Sequence, residues 1–157
     1  MSIESVKEYF KQYNKDKDVL EFNVSSATVD LAAQALSVEP ARIAKTLSFK
    51  TKEEGCILLV TAGDTKINNS KFKAEFGLKA KMLSSNEVLT HTGHPIGGVC
   101  PFDNPEHVKV FTDISMKRFD TLYPACGSSN SAIQLTYDEI FKYSNSIKWV
   151  DVCNNLE

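Results

Sequence analysis

Apolar side chains recur at helical spacing at the start of the chain, and this pattern predicts the first helix. Ile3, Val6, Tyr9 and Phe10 fall on one face of a helix over Ser2–Tyr13, with lysine and glutamate between them. Five further helices are predicted from capping residues that precede short amphipathic or alanine-rich runs. They are Val29–Leu36 after Thr28, Pro40–Ala44, Ser70–Phe76 between Asn69 and Gly77, Asn86–Thr92 with Ser84 and Glu87 as a capping box, and Ile140–Tyr143 after Thr136 and Glu139.

Short apolar runs bounded by turn residues predict the strands. Two of them, Thr46–Lys50 and Cys56–Thr61, are joined by a turn through Glu53–Gly55. The others are Val19–Val24, Lys79–Leu83, Val108–Thr112, Thr121–Pro124, Ala132–Leu135 and Ile147–Val152. Helices and strands mix without a regular βαβ alternation, which indicates an α/β (α+β) domain with a mixed sheet.

Length and composition favour one compact domain over residues 1–157. Of the 157 residues, 42% are hydrophobic and 24% are charged, which is normal for a globular protein. A chain of this length can bury one core without disulfides or a metal. It contains no internal repeat, low-complexity tract or linker.

The charge balance excludes a protein that is basic throughout, because the net charge is −2. It leaves room for a local basic face. The segment Lys66–Lys81 has a single acid, Glu75, and could follow a phosphate backbone, although a solvated helix face is the commoner meaning of such a run. Its basic residues are Lys66, Lys71, Lys73, Lys79 and Lys81.

The cysteines indicate a reducing compartment. Cys56, Cys100, Cys126 and Cys153 are far apart, and the chain has three histidines, so the spacing disfavours a zinc site. Two disulfides would suit a secreted protein, but the charged start of the chain lacks the apolar core of a signal peptide. The longest apolar run, Cys56–Val60, is too short to cross a bilayer. We therefore expect a cytoplasmic protein without a membrane segment, metal or cofactor.

A glycine-rich stretch is the first candidate for chemistry. Gly97 and Gly98 lie between Pro95 and Pro101, and adjacent glycines let backbone N–H groups approach an anion or an oxyanion. The stretch is neither a P-loop nor a dinucleotide-binding fingerprint. An ordinary turn-rich surface loop remains the alternative.

Two further candidates lie elsewhere in the chain. Lys45 sits at a predicted helix-to-strand junction and could point its ammonium into a cleft, the alternative being a solvated lysine. The small-residue loop 125–131 could bind a polar ligand or form a simple hairpin turn. Cys100 or Cys126 could act as a nucleophile beside backbone N–H donors, but no histidine can be placed next to either thiol from the sequence.

Taken in order, several short motifs resemble the YbaK / prolyl-tRNA-synthetase-associated domain family. No single motif is specific, but their order and spacing cover about residues 25–143. The motifs are Ala44-Lys45-Thr46-Leu47, Val60-Thr61-Ala62-Gly63-Asp64, Gly97-Gly98-Val99-Cys100-Pro101-Phe102, Val110-Phe111-Thr112-Asp113, Ala125-Cys126-Gly127, Ile133-Gln134-Leu135 and Tyr137-Asp138-Glu139-Ile140.

The resemblance implies a mixed, partly closed sheet flanked by helices, and a site that hydrolyses the ester of a mischarged tRNA. Lys45 would contact the ester carbonyl or the terminal phosphate. The backbone of Gly97, Gly98 and Val99 would stabilise the oxyanion. The residues expected to bind substrate are Thr46, Cys100, Pro101, Cys126, Gly127, Ser128 and Asn130.

The implied function is that of a freestanding trans-editing deacylase, with the tRNA for proline as the candidate substrate and a synthetase as a candidate partner. A module that binds aminoacyl-tRNA without hydrolysis is the alternative, and cysteine chemistry at Cys100 is a third. Three positions depart from relatives. Cys100 replaces a common Ser, Thr46 replaces the Asn of alanine-specific members, and Ala132 replaces an acid of cysteine-specific members. The sequence therefore leaves the amino acid open, as it does the oligomeric state.

Overall fold

Helices surround a six-stranded mixed sheet in the computed structural model, which describes residues 3–95 and 97–155. The helices are α1 (Ile3–Lys11), α2 (Val29–Leu36), α3 (Asn69–Phe76), α4 (Ser85–Thr92) and α5 (Tyr137–Tyr143). Short 3-10 helices cover Asp16–Asp18, Pro40–Arg42, Lys52–Glu54 and Ile114–Arg118. The strands are β1 (Leu20–Glu21), β2 (Ile43–Lys50), β3 (Cys56–Ala62), β4 (Thr65–Ile67), β5 (Lys109–Asp113), β6 (Thr121–Pro124), β7 (Ser131–Ala132), β8 (Leu135–Thr136), β9 (Trp149–Val150) and β10 (Cys153–Asn155).

The main sheet has the strand order β8-β6-β2-β3-β5-β9. Its centre is the antiparallel hairpin of β2 and β3, which pair from Ala44↔Ala62 to Lys50↔Cys56. β3 and β5, β5 and β9, and β2 and β6 are parallel pairs, and β6 and β8 are antiparallel. β1 pairs with β7, and β4 with β10, in two small separate sheets. This mixture confirms the predicted fold class.

Strand β3 is buried along its whole length because both faces of the sheet are covered. Leu58 and Val60 belong to the larger apolar cluster on one face, with Phe10 of α1. Ile57 and Leu59 alternate with them and belong to the cluster on the other face. The central hairpin is therefore the most protected part of the sheet.

Local capping chemistry was predicted well. Ser84 and Glu87 form a reciprocal capping box at the start of α4, and Thr136 and Glu139 form another at α5. Thr28 caps α2. The prediction for α3 was wrong by one residue, because Asn68 accepts the capping hydrogen bond and Asn69 is already helical.

Several strand boundaries differ from the prediction because pairing, and not the local pattern, decides where a strand exists. Lys79–Leu83 makes one isolated bridge, Phe49↔Met82. The predicted strands Val19–Val24 and Ala132–Leu135 shrink or divide into β1, β7 and β8, and Ile147–Val152 contributes only β9. Strand β4 was missed. The predicted helix Pro40–Ala44 is one 3-10 turn that ends at Arg42, and Ser2 of the first predicted helix lies outside the described residues.

Candidate functional site

A gap beside strand β2 opens a pocket in the sheet. Pairing with β6 stops at Ala44↔Pro124. Farther along the same edge of β2, Leu83 N–H donates to the Ser48 carbonyl at 3.2 Å, and Lys50 N–H donates to the Lys81 carbonyl at 2.8 Å. The edge of β2 is therefore covered at both ends and open between them.

The pocket has a volume of about 280 Å³ and mostly apolar walls. We call it the β2 pocket. Besides β2 itself, it is lined by the start of α2, the glycine-rich loop, residues of β6 and β7, and one side of α4. Its lining residues are Ser26, Ala27, Thr28, Val29, Ala32, Ile43, Ala44, Lys45, Thr46, Leu47, Ser48, Met82, Leu83, Val88, Gly97, Val99, Tyr123, Ala125, Ser131 and Ala132. No carboxylate, imidazole or thiol side chain is among the described lining residues.

Lys45 lines the pocket, but the prediction that it lies at a helix-to-strand junction is wrong. It is the third residue of β2 and pairs with Thr61 of β3. Its Nζ donates to the main-chain carbonyl of Thr65, so the ammonium is directed to the β3 side of the strand. Partial burial lowers the pKa of Lys45 below its usual value, and the nearby Cys153 and Asp64 act in the opposite direction.

A network of hydroxyl groups fixes the side chain of Thr65, the residue whose carbonyl accepts from Lys45. The Thr65 hydroxyl donates to the Ala62 carbonyl at 2.7 Å, and the Oγ1 atoms of Thr61 and Thr65 are 2.6 Å apart. The Ser115 hydroxyl is 3.0 Å from that of Thr61. Since these groups are buried or half-buried, they define one position for the lysine.

Thr46 lines the pocket, and its hydroxyl is unpaired. Its Oγ1 is buried and has no hydrogen-bond partner among the described residues. Buried polar atoms are normally paired, so an unpaired one inside a pocket suggests a missing partner. The resemblance had placed Thr46 in the substrate-binding set, and Thr46 lies in the pocket.

The glycine-rich loop reaches the pocket through Gly97 and Val99. Gly97 has a φ of +86°, which favours glycine. Within residues 3–95 and 97–155, the N–H groups of Gly97 and Val99 have no acceptor. Gly98 differs, because its N–H donates to the Pro95 carbonyl at 2.9 Å and is not free for an oxyanion in this conformation.

Gly98 instead joins the two candidate loops. A Cβ atom at Gly98 would lie 2.9 Å from the backbone of Ser128, closer than real side chains approach. Asn130 Nδ2 donates to the Phe22 carbonyl at 2.9 Å, and the Ser128 hydroxyl donates to Ser131 Oγ at 2.7 Å. Neither Ser128 nor Asn130 lines the pocket, so the loop 125–131 supports it mainly through Ala125 and Ser131.

The other predicted substrate-binding residues are not among the lining residues of the pocket. Cys100, Cys126, Pro101 and Gly127 are all buried and do not line the pocket. Cys100 Sγ lies 3.6 Å from His94 Nε2, but both side chains are fully buried. Burial raises the pKa of Cys100 to about 12, which leaves the thiol protonated and unreactive at neutral pH.

The predicted basic segment divides into paired and unpaired lysines. Lys71 is half-buried and forms an ion pair with Asp151 at 3.2 Å. The other four are exposed and have no carboxylate partner within the described part of the chain: Lys66, Lys73, Lys79 and Lys81. Lys81 directly precedes Met82, which lines the pocket. Among these four lysines, Lys81 is therefore the one that lies next to a pocket residue.

Two groups of pocket residues had not been singled out from the sequence. Ser26–Val29 was treated only as the start of a helix, although Thr28 was recognised as its cap. Met82 was assigned to a strand, and its 55% exposure marks it as an unusual apolar residue at the pocket rim. Neither carries a local motif for a binding site.

Two broader findings bear on cofactors and membranes. Within the described ranges, no three or more His, Cys, Asp or Glu side chains are grouped so that they could hold a metal ion. None of the described helices combines the length and apolarity that a bilayer crossing requires.

Comparison with known proteins identifies relatives over most of the chain. The sequence profile of the aminoacyl-tRNA editing domain matches residues 24–143. The chain is 53% identical over 157 residues to the uncharacterised protein YwhH of Bacillus subtilis (strain 168), and the match covers 100% of both chains.

A second relative is a proline–tRNA ligase of Kosmotoga olearia, 32% identical over 118 residues. This match covers 70% of the chain but 20% of the ligase, so the chain spans about a fifth of that protein. A solved structure described as a candidate trans-editing enzyme for prolyl-tRNA synthetase superposes with a TM-score of 0.86. It is 23% identical and covers 98% of this chain and 97% of that one, which establishes a shared fold.

Proposed function

The chain belongs to the aminoacyl-tRNA editing domain family, and from this premise we propose that it is a freestanding trans-editing deacylase. Its substrate is a mischarged tRNA, with the tRNA for proline as the first candidate because a relative is a proline–tRNA ligase. The acceptor end of the tRNA is the expected partner, and a synthetase is a second one. The proposal places the protein in the cytoplasm, where translation takes place.

The observation that carries the proposal is the β2 pocket. At about 280 Å³ it is at the small end of ligand pockets, and its mostly apolar walls suit an aminoacyl group. Four exposed lysines have no carboxylate partner in the described part of the chain, and one of them, Lys81, directly precedes the rim residue Met82, where it could contact a phosphate of an acceptor stem. Such a site accepts the end of a large anionic substrate.

The chemistry asks little of the protein, because an aminoacyl ester is already activated. A water molecule adds to the ester carbonyl, the bond from the carbonyl carbon to the ribose oxygen breaks, and a proton passes from the water to that oxygen. The products are a free amino acid and an uncharged tRNA. Positioning and stabilisation of the oxyanion supply the acceleration, which fits a pocket without a nucleophilic thiol or a carboxylate.

Lys45 is assigned to the ester carbonyl or the terminal phosphate. To reach either, its Nζ gives up the hydrogen bond to the Thr65 carbonyl. Within residues 3–95 and 97–155 the N–H groups of Gly97 and Val99 have no acceptor, so the proposal uses them as donors without such a change. In this proposal the substrate replaces the Thr65 carbonyl as the hydrogen-bond acceptor of the Lys45 ammonium.

The test is release of free amino acid from a panel of mischarged tRNAs by the wild type and by Lys45→Ala. We expect release from one or two members and a loss of roughly 10²–10³-fold in Lys45→Ala, the usual effect of removing one oxyanion donor. Lys52→Ala is the matched control, since Lys52 is an exposed lysine outside the pocket. Circular dichroism checks that both variants fold, and unchanged release by folded Lys45→Ala would refute the role of the lysine.

One observation favours a second function, a module that binds aminoacyl-tRNA without hydrolysing it. Two predicted catalytic donors, the Lys45 ammonium and the Gly98 N–H, already have acceptors within the protein. Retention of charged tRNA with no release of any amino acid would support the binding module over the deacylase.

A further inference from the structure

The gap in the sheet exposes main-chain groups as well as side chains. In an antiparallel pair, residues alternate between those whose N–H and C=O face the partner strand and those whose groups face the opposite edge. Ser48 and Lys50 use their main-chain groups on the side of Lys81–Leu83, away from β3. Thr46 lies two residues before Ser48, so its N–H and C=O point to that same edge.

At Thr46 this edge has no strand beside it. Strand β6 covers only Ile43 and Ala44, and the cover from Lys81–Leu83 begins at Ser48. Outside the ladder with β3, no main-chain hydrogen bond links Thr46 to any residue of 3–95 or 97–155. A donor and an acceptor of one residue therefore face the β2 pocket.

The Thr46 side chain adds a second observation at the same residue. Three buried side-chain atoms have no partner in the described part of the chain, and Thr46 is the one of the three residues that lines the pocket. The other two, His94 Nδ1 and Asn104 Oδ1, lie elsewhere. The residue whose main-chain groups face the β2 pocket is thus also the pocket-lining residue with an unpaired hydroxyl.

An aminoacyl ester matches this pair of main-chain groups. Its carbonyl oxygen accepts one hydrogen bond, and its α-ammonium donates up to three. No described carboxylate lines the pocket to receive the ammonium, so a main-chain carbonyl is the acceptor at hand. A strand edge binds an extended ligand in the same way when a peptide is added to a sheet.

We infer that the main chain of Thr46 is the primary recognition element for the aminoacyl group. Its N–H donates to the ester carbonyl and to the oxyanion that develops there, and its C=O accepts from the α-ammonium. The Thr46 N–H and C=O only form hydrogen bonds and neither gains nor loses a proton, so the atoms and protons of the ester hydrolysis balance as described above. The inference rests on the proposed function and assigns the oxyanion contact to β2, in addition to the glycine-rich loop.

The decisive experiment replaces single main-chain amides by esters, which removes an N–H and keeps every side chain. At Thr46 we expect hydrolysis to fall by roughly 10²-fold, as for other oxyanion donors, while thermal stability changes little. Lys50 is the matched control, because its N–H lies on the same edge and is bonded within the protein to the Lys81 carbonyl. An ester at Lys50 should lower stability and leave hydrolysis intact.

A binding measurement separates this inference from the proposed function. A non-hydrolysable 3′-aminoacylamino analogue of adenosine is titrated into the 15N-labelled protein, and we expect the Thr46 amide resonance to shift strongly downfield. If that shift occurs and no mischarged tRNA is hydrolysed, the inference stands and the deacylase proposal fails. If tRNA is hydrolysed equally well with the ester at Thr46, or the Thr46 amide does not respond at saturation, the inference is wrong.

Discussion

At the scale of single residues, two neighbouring residues of β2 direct their polar groups to opposite sides of the strand. Lys45 and Thr46 follow each other, yet the lysine reaches across β3 to Thr65 and the threonine faces the open edge. The sequence could indicate both residues through the family resemblance. It could not indicate which atoms were free, because that depends on where β6 stops pairing.

Gly98 shows how one missing side chain holds two loops together. Gly98→Ala should destabilise the protein by about 1–3 kcal/mol, because the new Cβ would meet Ser128 backbone atoms that cannot move independently. It should also weaken hydrolysis by displacing Gly97 and Val99 from the pocket. Thermal unfolding and the deacylation assay measure the two effects.

Gly77→Ala is the control for this prediction. Gly77 has a φ of +73° and open space where the Cβ would lie, so about 1–2 kcal/mol of strain is expected without any effect on the pocket. The two variants are compared by the loss of deacylation rate for a given loss of stability. If that loss were equal in Gly98→Ala and Gly77→Ala, the contact between Gly98 and Ser128 would not matter for function.

At the scale of elements, helix starts were predictable and short strands were not. The capping boxes at Ser84 and Thr136 depend on side chains three residues away, so the local sequence contains all their partners. Strands β1, β7 and β8 have two residues each and exist only because a distant segment lies beside them. For the same reason Lys79–Leu83, which has suitable residues, forms one bridge and no strand.

Helix α4 offers a pH test of its capping box. The pKa of Glu87 is lowered to about 2, first by the hydrogen bond from the Ser84 main chain and then by the ion pair with Lys50. A carboxyl group whose pKa is lowered by folding stabilises the folded state at every pH above its ordinary pKa of 4.5. This contribution disappears as the pH falls from 4.5 toward 2.

We therefore expect the melting temperature of Glu87→Ala to lie below that of the wild type at pH 7, with the difference narrowing between pH 4.5 and pH 2. The measurement is thermal unfolding followed by circular dichroism across that range. Thr136→Ala, which disrupts the other capping box at its hydroxyl, serves as a comparison. A difference that persisted unchanged at pH 2 would show that the charge of Glu87 is not its source.

At the scale of the whole molecule, the sheet brings together segments that are far apart in the sequence. Lys45, Gly97 and Ser131 line one pocket although more than half the chain separates the first from the last. Periodicity and spacing cannot predict such a meeting. The ordered set of family motifs could, because it reflects a fold in which these segments were already adjacent.

The lysines near the pocket give a prediction for the complete complex. If Lys81 contacts a tRNA phosphate, Lys81→Ala should lower affinity for all tRNAs alike and reduce the slope of log K against log salt by roughly 0.7–0.9. Lys71→Ala is the matched control, since Lys71 already has a carboxylate partner in Asp151. Equal slopes for wild type and Lys81→Ala over a salt series would exclude this phosphate contact.

The open part of the β2 edge also bears on self-association. An uncovered strand edge is a template on which other chains can add strands and aggregate. Here β6 and the segment Lys81–Leu83 leave only Lys45–Leu47 uncovered, and the loops around the pocket enclose it. Of these three residues, only Thr46 directs its main-chain N–H and C=O to this edge, so a neighbouring polypeptide would find one residue to pair with. The edge of β2 can thus stay partly uncovered at concentrations where a longer open edge would lead to aggregation.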